Sequence, residues 1–185
     1  RLDATVQAAI AEAAGRAARA IGLKNGPIHA ELRVNERGPW LLEVAGRSIG
    51  GLCGQTLRFD LGVSLEEIIL RQACGLPWRP AYSERRANGV MMIPIPEAGI
   101  LERVDGIEAA AAVPSVEGIE ITAPLHHSLI PLPEGDSYLG FIFAEADTPE
   151  QVEAALRAAH AKLRFHIQAE FNLEALGSLT IPGNA

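Results

Sequence analysis

Several things are scarce in these 185 residues, and each scarcity excludes something. There are two cysteines, Cys53 and Cys74, without CxxC spacing and in glycine-rich or apolar surroundings. They indicate neither a disulfide framework nor a zinc knuckle, and a reducing cytoplasm fits them best. No apolar run approaches the roughly 18 residues that span a bilayer, and no basic region followed by a compact apolar stretch marks a secretory leader. Lys and Arg number 16 against 23 Asp and Glu, a net charge of -7. That balance disfavours nucleic acid and membrane surfaces, whose phosphates are held by clustered cations. Only Lys24 and Lys162 are lysines, so chemistry needing several lysines on phosphates must find them elsewhere. Residue 1 is Arg, and helical periodicity begins at once, which reads as a fragment opening inside a domain.

What is present suffices for a globular fold. With 48% hydrophobic residues, a chain of this length can bury about 70% of its unfolded surface without disulfides or a structural metal. Leu2 to Ile21 places Val6, Ile10, Ala13, Ala17 and Ile21 on one helical face, stopped by Gly22 and Asn25-Gly26-Pro27. Residues 28–34 alternate strictly, Asn35 to Pro39 is turn chemistry, and Trp40 to Ala45 resumes as a strand. This predicts a β-hairpin with a five-residue loop. A glycine-rich binding loop over 46–62 leads to a capping box at Ser64 and Glu67 and a helix ending at Cys74-Gly75. Strands are expected over 89–95, 99–104, 118–123 and 138–144, and Thr148-Pro149-Glu150-Gln151 opens a last helix whose buried face runs from Val152 to Ile167. The polar, proline-bearing stretch between the halves is the natural boundary. The division expected is 1–75, a linker at 76–88, a small domain at 89–170 and a frayed tail at 171–185.

The hairpin carries the chemistry. If Val34 pairs with Trp40, position sums stay at 74 and Glu31 lies directly opposite Glu43. Like charges so placed destabilise a sheet unless something cationic lies between them. Opposed carboxylates suit a hard divalent ion, Mg²⁺ or Mn²⁺, which leaves its remaining positions to water and substrate phosphates. The same residues also fit a solvent-facing pair, or a slipped register in which Glu43 meets Arg33 or His29. Arg47 shares the parity of Glu43 and opens the Gly50-Gly51 loop. A guanidinium and close-approaching backbone amides there would bind an anion, although a surface arginine before a flexible loop gives the same pattern.

Together, His29-Ala-Glu31-Leu-Arg-Val34, Trp40-Leu-Leu-Glu43-Val-Ala-Gly-Arg47 and Gly50-Gly51 resemble the carboxyl-terminal part of the ATP-grasp nucleotide-binding fold. The resemblance is to its biotin-carboxylase-like carboxylate–amine ligases, which include L-amino acid ligases. It implies an α+β architecture, an antiparallel sheet with helices followed by a small β-rich α+β domain. It also implies ATP and Mg²⁺ (or Mn²⁺) as cofactors, Glu31 and Glu43 as metal ligands, and Arg47 as the contact to phosphate or to an acyl phosphate. Gly50 and Gly51 would help hold the substrate carboxylate. Small-molecule carboxylates and amines would be the substrates, in the cytoplasm, with a homodimer compatible. Ala45 departs from the pattern, because many members have a metal-ligating Asn two residues after the second glutamate. The phosphate-covering glycine-rich hairpin, paired lysines and adenine-binding segment that the family carries upstream are not found here, so this piece alone is expected to be inactive. The rival reading is a non-catalytic binding or oligomerisation module. His126-His127, His160, His166 and Cys53 show no partners at ligand or nucleophile spacing. The loop from His126 to Asp136 could instead lie over an active site.

Overall fold

The computed structural model describes residues 2–57, 59, 62–77 and 86–170. The expected linker falls largely, and the expected tail wholly, outside the described residues. The chain divides into two compact units, Arg1–Glu84 and Arg85–Ala185.

The first unit begins with α1 (Ala4–Ala20), capped by Asp3, whose carboxylate accepts from the Val6 amide. The helix therefore starts two residues later than the periodicity suggests, because Asp3 offers the first free amides an acceptor. Strands β1 (His29–Asn35) and β2 (Gly38–Ala45) form a two-stranded antiparallel sheet, against which α1 packs through β2. A 3₁₀ turn at Cys53–Thr56 precedes α2 (Leu65–Ala73). Ser64 caps α2 by accepting from the Glu67 amide, but the reciprocal half of the expected capping box is replaced. The Glu67 carboxylate pairs with Arg71 one turn on, at 2.7 Å. The core of this unit is thin. Ala18, Cys53 and Ile68 are its buried hydrophobic residues among those described, while Trp40, Leu41 and Leu42 stay exposed.

The second unit contains β3 (Ala87–Ile93), β4 (Gly99–Asp105), α3 (Ile107–Ala111), β5 (Val116–Ile121), β6 (Ser128–Leu129), β7 (Gly140–Ala146), α4 (Pro149–His160) and β8 (Arg164–Gln168). Two three-stranded antiparallel sheets result, in the orders β3-β7-β5 and β6-β4-β8. β7 reads Gly-Phe-Ile-Phe-Ala-Glu-Ala and is buried along nearly its whole length, as a central strand covered on both faces must be. Ile93, Leu101, Leu139 and Ile142 are fully buried in a core closed by Val152, Leu156 and Ala159 of α4.

One sequence expectation fails here. The helical period does not continue to Ile167: α4 ends at His160, and β8 pairs with β4. Phe165 and Ile167 alternate toward the core cluster, and strand pairing wins over a helical repeat that happens to include Leu163 and Ile167. α4 itself starts as expected, with Pro149 following a complete capping box. Thr148 Oγ1 accepts from the Gln151 amide, while Gln151 Oε1 accepts from the Thr148 amide. Thr148→Ala is expected to cost about 1 kcal/mol of stability, read as a lower denaturation midpoint in urea.

On the exposed side of the β4–β8 pair, Asp105 accepts from His166 Nε2 at 2.8 Å and lies 2.8 Å from the Arg103 guanidinium. His166, and after it Arg103, hold the Asp105 carboxyl below its ordinary value. The ionised, paired carboxylate therefore favours the folded state above the usual carboxylate range, and that contribution disappears as pH falls through the depressed pKa. Asp105→Asn should lower stability slightly at neutral pH and flatten the acid limb of a stability–pH curve.

Candidate functional site

The hairpin places the acidic residues. β1 and β2 pair with Glu31 opposite Glu43 and, next to them on the same face, His29 opposite Ala45. Beyond Glu31 the register shifts: Leu32 pairs with Leu41, Arg33 with Trp40 and Val34 with Pro39. The expected pairing of Val34 with Trp40 is thus corrected, because Leu42 is an extra residue on β2. The five-residue loop is corrected too. Asn35 pairs with Gly38, and the Asn35 side chain accepts from the Arg37 amide and from Trp40 Nε1. Gly38 closes this turn at φ +108°, a conformation a side chain would oppose. The bulge and the tight turn offset one another, so the sum of 74 holds at the glutamates although it fails at the turn. A bulge bends its strand and re-aims neighbouring side chains, and this one lies directly beside Glu43.

Each carboxylate is half exposed, with side-chain exposure of 53% for both Glu31 and Glu43. Each also has one basic neighbour on its own strand or just beyond it. His29 Nε2 stands 3.2 Å from Glu31 Oε1. Arg47 approaches Glu43 Oε1 at 3.7 Å and donates to the Ser48 carbonyl at 3.1 Å. The structure therefore brings Glu31, Glu43, Arg47 and His29 onto one end of the hairpin. Gly50 and Gly51 follow in the next loop, both exposed, with Gly51 at φ +60°. An open depression of about 600 Å³ runs along β1, with Glu31, Arg33 and Leu42 on its wall.

His29, which the spacing offers only as a partner of Glu43 in a slipped register, instead faces Ala45 and bonds Glu31. Its signal was the spacing of two residues before Glu31 in an alternating strand, which puts both on one face. The bulge at Leu42 left no comparable signal.

Among the described residues no group of three or more His, Cys, Asp and Glu side chains is arranged to hold a metal ion. A closed tetrahedral site of the structural zinc type is therefore not formed by them. Two opposed, solvent-reachable carboxylates fit the other case, a hard cation that takes one or two carboxylates and completes its shell with water and substrate oxygens. Ala45 contributes nothing to such a shell. Elsewhere, burial raises the Cys53 thiol pKa, opposite to what a nucleophile needs. His126 sits in a turn at φ +62° with Nδ1 3.3 Å from Glu102. No helix among the described residues is long and apolar enough to cross a membrane.

Both units resemble known domain families. Residues 1–56 match the ATP-grasp domain family, and residues 91–168 match the L-amino acid ligase C-terminal domain 2 family. The uncharacterized protein y4rH of Sinorhizobium fredii is 25% identical over 144 residues, covering 78% of this chain and 30% of that protein. The crystal structure of L-amino acid ligase from Bacillus licheniformis superposes with a TM-score of 0.72 at 26% identity, over 91% of this chain and 42% of that one. N5-carboxyaminoimidazole ribonucleotide synthetase from Thermotoga maritima shares the fold, with a TM-score of 0.70 at 16% identity over 91% of this chain and 44% of that one. The chain thus spans less than half the length of these relatives. Its first unit matches the ATP-grasp domain family and its second the L-amino acid ligase C-terminal domain 2 family, and over both it is similar to an L-amino acid ligase.

Proposed function

We propose that this chain is part of a longer, cytoplasmic ATP-dependent carboxylate–amine ligase. In that enzyme ATP phosphorylates a substrate carboxylate, and an amine then displaces phosphate from the acyl phosphate. The observation that carries the reading is the Glu31–Glu43 rung, since opposed carboxylates raise the cost of the hairpin unless a cation lies between them. The thin core of the first unit, with Trp40, Leu41 and Leu42 exposed, supports its being one portion of a larger domain. The residue pattern and the match of residues 1–56 to the ATP-grasp domain family support ATP as the phosphoryl donor.

Glu31 and Glu43 would hold Mg²⁺, or Mn²⁺ in its place. The ion, when bound, neutralises charge on the phosphoryl group in transfer. Arg47 adds a fixed positive charge beside that point. Its tie to Glu43 and to the Ser48 carbonyl keeps the guanidinium at the mouth of the following loop. The backbone amides around Gly50 and Gly51 approach the substrate carboxylate closely because no side chain intervenes. With Ala45 in the family's Asn position, Glu43 and water supply the donors that an amide would otherwise give.

Hydroxylamine trapping tests the reaction class. The full-length ligase, given ATP, magnesium and a panel of amino acids, should convert at least one carboxylate to its hydroxamate with one ADP per product. ATP binding with no carboxylate-dependent ADP or hydroxamate would favour the non-catalytic module instead.

A further inference from the structure

The hydrogen bond on the outer side of Glu31 carries a role of its own, one that rests on the reading of Glu31 and Glu43 as cation ligands. On the carboxylate face, the rung next to the glutamates is His29 opposite Ala45. Ala45 ends in a methyl group and offers neither donor nor acceptor, so His29 is the side chain of that rung able to act on a carboxylate. Its Nε2 lies 3.2 Å from Glu31 Oε1. An ionised carboxylate only accepts, so Nε2 carries the hydrogen and donates.

The two partners are unequal. The His29 side chain is 21% exposed and Glu31 53%, so the ring is the more firmly packed and restrains the more mobile carboxylate. Freezing a free glutamate costs conformational entropy, and a ligand already oriented has less of that cost left to meet when the cation arrives. Glu43 has its counterpart in Arg47. His29 does not complete a three-ligand set, since no such set exists among the described residues. Its part is orientation.

We propose that His29 is a positioning residue that holds Glu31 in its cation-binding orientation and supplies from β1 the control that Ala45 cannot supply from β2. Outer partners of metal-binding side chains commonly matter by about 10-fold to 100-fold in metal affinity.

The test is Mn²⁺ binding to the full-length ligase in the presence of ADP, followed by loss of the free-ion EPR signal, with thermal melting of each variant as the control for folding. His29→Ala should weaken Mn²⁺ about 10-fold at an unchanged melting temperature. His29→Gln, whose amide nitrogen reaches about as far as Nε2, should recover most of the loss. His29→Asn, too short to reach, should behave like His29→Ala. Wild-type affinity in His29→Ala, or a His29→Gln variant no better than His29→Ala, overturns the proposal. Glu43→Gln is measured alongside. If it too leaves Mn²⁺ affinity unchanged, the cation is not held at this rung and the reading of the site fails. A loss in Glu43→Gln with none in His29→Ala defeats the role of His29 alone.

Discussion

Glu43→Gln should lower metal-dependent ADP formation by the full-length ligase at least about 100-fold, the scale on which a lost electrostatic contact to a developing charge is felt. The substitution keeps the size of the side chain and removes only its charge. Stability should move the other way. Glu31 stands directly opposite, and like charges across a strand pair repel, so neutralising one of them should leave the melting temperature level or slightly higher. Activity lost at undiminished stability separates a metal ligand from a structural residue. Unchanged turnover would show that Glu43 is surface charge, and the module reading would then gain.

The second large effect concerns stability in the other unit. Gly106 caps α3 in the left-handed region at φ +85°, and a Cβ there would stand 2.1 Å from the Lys162 carbonyl oxygen. Gly106→Ala combines backbone strain with a clash against backbone that cannot swing away. A loss of about 3 kcal/mol or more is expected, read as a lower urea midpoint for the unit that contains it. Gly118→Ala is the matched control, because its Cβ would meet nothing nearer than Phe143 at 3.9 Å. Equal stability of the two variants would contradict the argument.

Lys162 also shows why one element was illegible in the sequence. The turn at Ala161–Lys162 contains neither glycine nor proline, so nothing local interrupts the helical period between α4 and β8. What fixes the turn is tertiary, namely the close packing of its carbonyl against Gly106 and the pairing of β8 with β4. Local chemistry was a better guide where it was self-contained. The Thr148 cap, the alternation of β1 and the glycine stop after α2 each act within a few residues. The opposition of Glu31 and Glu43 was legible for a less secure reason. The sequence pattern gives a five-residue loop where the turn is tighter, and the bulge at Leu42 restores the register on the far side. His29 was readable as a neighbour of Glu31, but its hydrogen bond depends on a rotamer that no spacing specifies.

The proposed chemistry requires one cation on that rung. The direct measurement is an anomalous difference map from crystals of the full-length ligase grown with Mn²⁺ and a non-hydrolysable ATP analogue. A peak between the Glu31 and Glu43 carboxylates, about 2.0 to 2.2 Å from an oxygen of each and shared with phosphate oxygens, is the predicted result. Bound nucleotide with Mn²⁺ on phosphates alone, and both glutamates turned to solvent, would contradict it.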